Sequence, residues 1–191
     1  TTTHCISVDG DFQDWATIPS LSSSGSSGLT TIQAADQADS LVFLVEGQMA
    51  DNFQFYLDSD HDAIGTNEFL TSYWPGSGIN YLIENGSIYQ YIGTGSNWSW
   101  NYIGEAFFSQ TASGIELSIQ KNLIPFIGSQ ISIAFANLDS SFTNIGQIPS
   151  GTVAADYTLF SSLIECSCNN DDLYLSGNLT VHTEYGTNGL I

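Results

Sequence analysis

Short segments of alternating apolar and polar residues recur along this chain about every ten residues, and turn residues separate them. Four of the strand-like segments are residues 29–35, 40–47, 80–84 and 87–92. The second contains the uninterrupted apolar run 41–45, which predicts a strand buried on both faces. An Asn-Gly step at 85–86 joins the last two and predicts a tight β-hairpin. Helical periodicity is scarce by comparison. The pattern predicts an all-β fold, an antiparallel, jelly-roll-like β-sandwich of two sheets.

The chain has 191 residues, enough for one sizeable hydrophobic core. We expect residues 1–160 to form the sandwich. Residues 161–191 are more polar and too few to bury a core of their own. They are interpreted as a cysteine-containing linker followed by the start of a further module or a strand extension.

Residues 53–69 carry the clearest chemical signal. A strand-like run of aromatic and polar residues leads into three carboxylates at every second position, Asp58, Asp60 and Asp62. Like charges so close together raise one another's pKa unless a cation neutralises them. Ca²⁺ prefers oxygen ligands, so the spacing predicts a calcium site.

The loop opens like an EF-hand but departs from it, because Ile64 follows Ala63 near the point where the glycine turn would begin. Glu68 also falls one residue early for position twelve. We therefore expect a strand-flanked calcium loop in which backbone carbonyls of Ile64 or Thr66 complete the ligand set. The alternative is a solvated acidic turn without metal.

The three cysteines lie near the two ends of the expected sandwich. Their placement predicts a disulfide from Cys5 to either Cys166 or Cys168, which would join the first and last strands. Three reduced thiols are the alternative.

The charge balance excludes two classes of partner. The chain contains one lysine, Lys121, no arginine and 20 acidic residues, so its net charge is −19. Such a chain repels nucleic-acid phosphates and anionic membrane surfaces. The sequence has no apolar run long enough to span a membrane, and residues 1–4 do not look like a signal peptide. We expect a processed, secreted or cell-surface protein.

Aromatic residues mark the candidate binding surface. Trp98, Trp100 and Tyr102 alternate, which on a strand places them on one face. Tyr73 and Trp74 form a second aromatic pair. We expect Trp74, Trp98, Tyr73 and Trp100 to contact a sugar, by stacking on its rings. The alternative is that these tryptophans belong to the core.

Several motifs in order carry a family resemblance: Val-Asp-Gly-Asp-Phe-Gln-Asp-Trp at 8–15, Leu-Asp-Ser-Asp at 57–60, Asn-Tyr-Leu-Ile-Glu at 80–84, Trp-Ser-Trp at 98–100 and Ile-Glu-Leu-Ser-Ile at 115–119. The series resembles family-nine, DOMON-like carbohydrate-binding modules of secreted or cell-surface bacterial proteins. The resemblance covers residues 6–157 and implies a β-sandwich, structural calcium and sugar recognition by exposed tryptophans.

The leading hypothesis is therefore a non-catalytic, calcium-stabilised module that binds neutral polysaccharide and neighbours other modules of the same polypeptide. The alternative is a structural or assembly domain of a surface or filament protein without sugar binding. Enzymatic activity is not expected, because paired acids such as Glu84 and Glu105 have no sequence context that assigns a nucleophile, a base and a stabilising group.

Overall fold

The computed structural model describes residues 5–62, 67–125 and 129–159, and these contain fourteen β-strands and one short 3₁₀-helix. The helix is Phe12–Thr17. The strands are β1 Ser20–Ser22, β2 Leu29–Asp36, β3 Ser40–Gly47, β4 Asn52–Asp58, β5 Phe69–Leu70, β6 Gly78–Ile79, β7 Tyr81–Glu84, β8 Ser87–Tyr91, β9 Trp100–Glu105, β10 Phe107–Thr111, β11 Gly114–Gln120, β12 Gln130–Leu138, β13 Asn144–Ile148 and β14 Ala155–Thr158.

Two antiparallel sheets form the sandwich that the strand pattern predicted. The first sheet has the order β1-β2-β3-β11-β10. The second has the order β13-β12-β4-β7-β8-β9, and β14 pairs with the first half of β12 while β13 pairs with its second half. Strands β5 and β6 form a separate two-stranded sheet. Within the described ranges, no helix has the length and apolarity needed to cross a membrane.

The main core lies between the two sheets. Aromatic side chains from β4 and β12 lie at its centre, where Phe55 and Phe135 pack edge to face with ring centroids 4.9 Å apart. Strand β3 is buried on both faces, as its uninterrupted apolar sequence predicted. Its odd-numbered residues, such as Phe43, face this core, whereas Val42 and Leu44 face the other way.

The N-terminal segment covers the outer face of the first sheet. Trp15, in the 3₁₀-helix, packs on Val42 and Leu44 there. Its Nε1 donates to the buried carboxylate of Glu116 at 2.8 Å, and the backbone N–H of Gly10 donates to the same carboxylate at 2.7 Å. The acidic residue of strand β11 therefore fastens the aspartate-glycine turn of the N-terminal motif onto the sheet.

Part of the outer face of the second sheet is covered in the same way. The segment that includes β5 and β6 packs over β4 and β12, and it buries Trp74 and Ile79 against Tyr56 and Ala134. The outer face of β7, β8 and β9 next to this segment carries partly exposed aromatic residues instead. A binding site is therefore possible on this open half of the sheet.

The N-terminal segment and the last described strand both reach the turn between β2 and β3. Gln37 Nε2 donates to the carbonyl of Ile6 at 3.1 Å. Tyr157 of β14 lies beside Asp36, and burial together with this carboxylate raises the pKa of Tyr157 to about 12. Ile6 and Tyr157 thus lie near the same turn. Cys166 and Cys168 lie outside the described residues, so the disulfide stays a prediction.

We expect one bridge from Cys5 to Cys166 or Cys168, because Ile6, which follows Cys5, and Tyr157, which precedes the other two cysteines, approach the same turn. Peptide mapping of the unreduced protein should find that bridge and one alkylatable thiol. Reduction, or Cys5→Ser, should lower the free energy of unfolding by up to about 4 kcal/mol, since the open chain gains unfolded-state entropy. Three alkylatable cysteines, or a bridge between Cys166 and Cys168, would contradict the prediction.

Candidate functional site

A cleft of about 310 Å³ opens on the outer face of strands β7, β8 and β9. Five side chains line it: Leu82, Glu84, Tyr89, Trp98 and Trp100. The strand register explains how they meet. Leu82 lies opposite Tyr89 in the β7-β8 ladder, and Tyr91 lies opposite Trp100 in the β8-β9 ladder. Residues paired across an antiparallel ladder point to the same face, so these strands place their aromatic residues together.

The Asn85-Gly86 turn fixes this register. Both residues have positive φ, 49° for Asn85 and 93° for Gly86, which is the geometry that a two-residue hairpin requires. Asn85 and Gly86 adopt that geometry with little strain. The hairpin predicted from the sequence is confirmed, and it delivers Glu84 and Tyr89 to the cleft.

Trp98 is the exposed aromatic residue of the cleft, with 59% of its surface accessible. Its ring packs edge to face on Phe69 at 5.4 Å and on Trp100 at 5.6 Å. Trp100 is partly buried and packs on Tyr91 at 5.0 Å. The contacts of Trp98 hold an aromatic surface in place before any ligand arrives, which reduces the entropy lost on binding.

The polar side of the cleft is a short hydrogen-bond chain. Tyr56 donates from its hydroxyl to Gln54 Oε1 at 2.5 Å, and Gln54 Nε2 donates to Glu84 Oε2. Burial raises the pKa of Tyr56, with smaller contributions from Tyr73 and Glu84, so this hydroxyl stays protonated and remains a donor. The second carboxylate oxygen of Glu84, Oε1, accepts no hydrogen bond from the residues that the structure describes. It is available to a ligand.

Two of the predicted sugar-binding residues lie elsewhere. Trp74 is fully buried, and its Nε1 donates to the carbonyl of Pro149 at 2.9 Å. The prediction of Trp74 as a binding residue is therefore wrong, because its ring completes the core under the β5-β6 segment. Tyr73 is 37% exposed and packs on Trp74, and it does not line the cleft. Trp98 and Trp100 both line the cleft, and their role in sugar binding stays a prediction.

A group of three carboxylates lies beyond the end of β4. Asp60, Asp62 and Glu68 each place one oxygen so that all three lie within 4.8 Å of one another. Oδ1 of Asp60 is buried and has no hydrogen-bond partner among the described residues. Gly78 packs against the Glu68 carboxylate so closely that a Cβ at position 78 would collide with it. This oxygen-only donor set fits a Ca²⁺ ion.

Asp58 is not one of these three residues, and its role as a calcium ligand stays a prediction. Its Oδ1 accepts a hydrogen bond from the backbone N–H of His61 at 2.7 Å, which shapes the turn after β4. Burial raises the pKa of Asp58 to about 7, and the neighbouring Asp60 carboxylate adds to the effect. Ile64 and Thr66 fall outside the described ranges, so their role as ligands stays a prediction.

Three residues of these sites were not predicted as site residues from the sequence. Glu68 was set aside because it does not fit EF-hand spacing, yet the fold brings it back to the aspartates. Glu84 was considered only as half of a catalytic pair. Tyr89 was not named as a candidate. The hairpin pattern could have identified it, because Tyr89 lies opposite Leu82 in the β7-β8 ladder and strand alternation places it on the same face as Glu84.

The site and the fold define a β-sandwich with an aromatic, acid-lined cleft on an outer sheet face. No known protein family matches the sequence, and no curated protein matches it either. Among solved structures, the chain is similar to a family 9 carbohydrate-binding module from Caldicellulosiruptor kristjanssonii in complex with cellotriose. The identity is 12%, the TM-score is 0.45, and the match covers 88% of this chain and 93% of that one. The chain is also similar to a family 9 carbohydrate-binding module from Caldicellulosiruptor kristjanssonii in complex with glucose. The identity is 11%, the TM-score is 0.46, and the match covers 87% of this chain and 96% of that one.

Proposed function

We propose that this protein is a non-catalytic carbohydrate-binding module of an extracellular protein, and that the cleft binds a neutral polysaccharide. The observation that carries the proposal is the exposed Trp98 ring, which is held by Phe69 and Trp100 beside an accessible carboxylate oxygen of Glu84. An extracellular location suits the acidic surface and the three cysteines.

The aromatic and polar parts of the cleft have complementary roles in this proposal. The apolar face of a pyranose ring stacks on an indole ring, while its hydroxyls donate to carboxylate or amide oxygens. Trp98 supplies the stacking surface, with Trp100 and Tyr89 beside it, and Glu84 accepts from a hydroxyl. An open site of this size is expected to bind a sugar with a dissociation constant in the micromolar to millimolar range. Its few contacts must offset the translational, rotational and conformational entropy that the ligand loses on binding.

The proposal assigns no catalytic residue. Glycoside hydrolysis of the usual kind needs two carboxyl groups on either side of the scissile bond. Glu84 is the one carboxylate among the residues that line the cleft as described. Glu105 does not line the cleft, and its carboxylate accepts hydrogen bonds from Ser87 and Tyr102.

Trp98→Ala is expected to weaken sugar binding at least tenfold, because it removes the exposed stacking surface. Isothermal titration against neutral gluco-, xylo- and manno-oligosaccharides would measure the effect, with sulfated and uronic polymers as anionic controls. Phe107→Ala is the matched control, since Phe107 is 66% exposed but lies on β10 of the other sheet. It should leave the affinity unchanged.

Two outcomes would contradict this function. If no neutral sugar binds to the folded, calcium-loaded protein, the structural or assembly role becomes the better hypothesis. If only sulfated or uronic polymers bind, the argument from the net charge of −19 is wrong.

We also propose that Ca²⁺ stabilises the loop after β4. Asp60, Asp62 and Glu68 would hold the ion, and its charge would offset the repulsion among the three carboxylates. The ion is assigned a structural role, since this group of acids is not part of the cleft lining. An ordered loop here would support the segment that runs on to β5 and Phe69, against which Trp98 packs.

A further inference from the structure

We propose that the cleft prefers polysaccharides that carry free amino groups, such as β-1,4-linked glucosamine chains, over the neutral chains of the same backbone. This inference rests on the proposed function and names the substrate class for the same cleft. The carboxylate of Glu84 has no ion-pair partner in the described part of the chain.

The sequence provides almost no positive charge to balance Glu84. Lys121 is the one lysine of the sequence, which has no arginine. Its ammonium is engaged elsewhere, in an ion pair with Asp36 and hydrogen bonds to the carbonyls of Gln37 and Ala38. Glu84 therefore faces the cleft with one oxygen bonded to Gln54, and no cation of the described residues forms an ion pair with it.

A second carboxylate extends the negative strip beyond the cleft. Glu84 lies opposite Ser87 in the β7-β8 ladder, and Ser87 lies opposite Glu105 in the β8-β9 ladder. Strands two positions apart are separated by about 9.5 Å, so Glu84 and Glu105 stand on one row across the sheet. Tyr102, which is exposed, donates to Glu105 at 2.9 Å and packs on Tyr89 at 5.9 Å. Aromatic surface and carboxylates thus continue together toward the sheet edge.

An ammonium group on a sugar ring would use both features. Carboxylates attract it, and the faces of tryptophan and tyrosine attract cations through their ring quadrupoles. A hydroxyl at the same ring position is uncharged, so both interactions are weaker for it. At low ionic strength the net charge of −19 adds a general attraction, so the experiment must separate the local carboxylate from the overall field.

Three trimers with one β-1,4 backbone separate the contributions: glucosamine trimer, cellotriose and N-acetylglucosamine trimer, titrated calorimetrically at about pH 6, where the sugar amine is charged. The glucosamine trimer is expected to bind about 5- to 30-fold more tightly than cellotriose. The acetylated trimer has no charge and should lose that advantage.

The matched variants are Glu84→Gln and Asp39→Asn, which remove the same single charge. Asp39 is exposed at the turn between β2 and β3 of the other sheet. Glu84→Gln is expected to bring the ratio of the glucosamine to the cellotriose affinity close to one, whereas Asp39→Asn should keep the ratio. Salt at about 0.5 M should also reduce the ratio.

Equal affinity for the glucosamine trimer and cellotriose would overturn the amino-sugar preference and leave the proposed sugar-binding function standing. A preference that survives in Glu84→Gln would overturn the assignment to this carboxylate. Absence of binding by all three trimers, together with the neutral xylo- and manno-oligosaccharides, would overturn the proposed function itself.

Discussion

Replacing Trp74 by alanine is expected to lower the free energy of unfolding by about 3 to 5 kcal/mol, because the change empties the space of a fully buried ring. It also leaves the Pro149 carbonyl without the donor that Trp74 supplies at 2.9 Å. For a domain of this size the melting temperature should fall by about 6 to 20 °C. Differential scanning calorimetry would measure it.

Trp98→Ala is the matched comparison, since it removes the same side chain from an exposed position. Its effect on the free energy of unfolding should stay below about 1 kcal/mol, while it weakens sugar binding. If Trp74→Ala proves too unstable to purify, Trp74→Phe keeps most of the ring and removes the hydrogen bond to Pro149. A stable Trp74→Ala protein that had lost sugar binding would show that the burial of Trp74 is wrong.

Removal of calcium is expected to lower the melting temperature by about 5 to 11 °C. This value corresponds to about 2.7 kcal/mol, the stabilisation from a ligand at one hundred times its dissociation constant. The physical reason is that Asp60, Asp62 and Glu68 repel one another once the cation is gone. Thermal melts of chelator-treated protein, with and without added CaCl₂, would measure the shift.

Three variants test which residues hold the ion. Asp60→Ala and Glu68→Gln should each abolish most of the calcium response, because each removes one of the three converging carboxylates. Asp51→Asn should keep the full response, since Asp51 is exposed before β4, at the end opposite to the acidic loop. An unchanged melt after chelation, with no metal in elemental analysis of the purified protein, would refute the calcium proposal.

The sequence by itself determined the β-sandwich, because its signals are local. Period-two alternation selects strands, and the Asn-Gly step sets a hairpin whatever surrounds it. The uninterrupted apolar run of β3 predicted burial on both faces, and the structure confirms it. The grouping of Trp98 with Trp100 also followed from spacing along one segment.

Only the tertiary structure decided which aromatic residues are exposed. Trp74 and Trp98 have the same chemistry and similar surroundings in the sequence, so nothing local separates a core ring from a binding ring. The difference arises because the β5-β6 segment folds over β4 and β12 with Trp74 beneath it, whereas Trp98 packs at the edge of this segment, on Phe69, and stays exposed. The proposed role of Glu84 likewise depends on Gln54, which lies on the neighbouring strand and orients the carboxylate.

For the acidic loop too, one part of the cation site was predictable from the local sequence and another part depends on the tertiary structure. Local repulsion among closely spaced aspartates was enough to predict a cation, since it depends on sequence separation alone. The third carboxylate depended on the path of the chain, which returns Glu68 to Asp60 and Asp62 where Gly78 leaves room for it. Which charges meet across a loop is set by backbone geometry and packing, and spacing along the sequence does not contain that information.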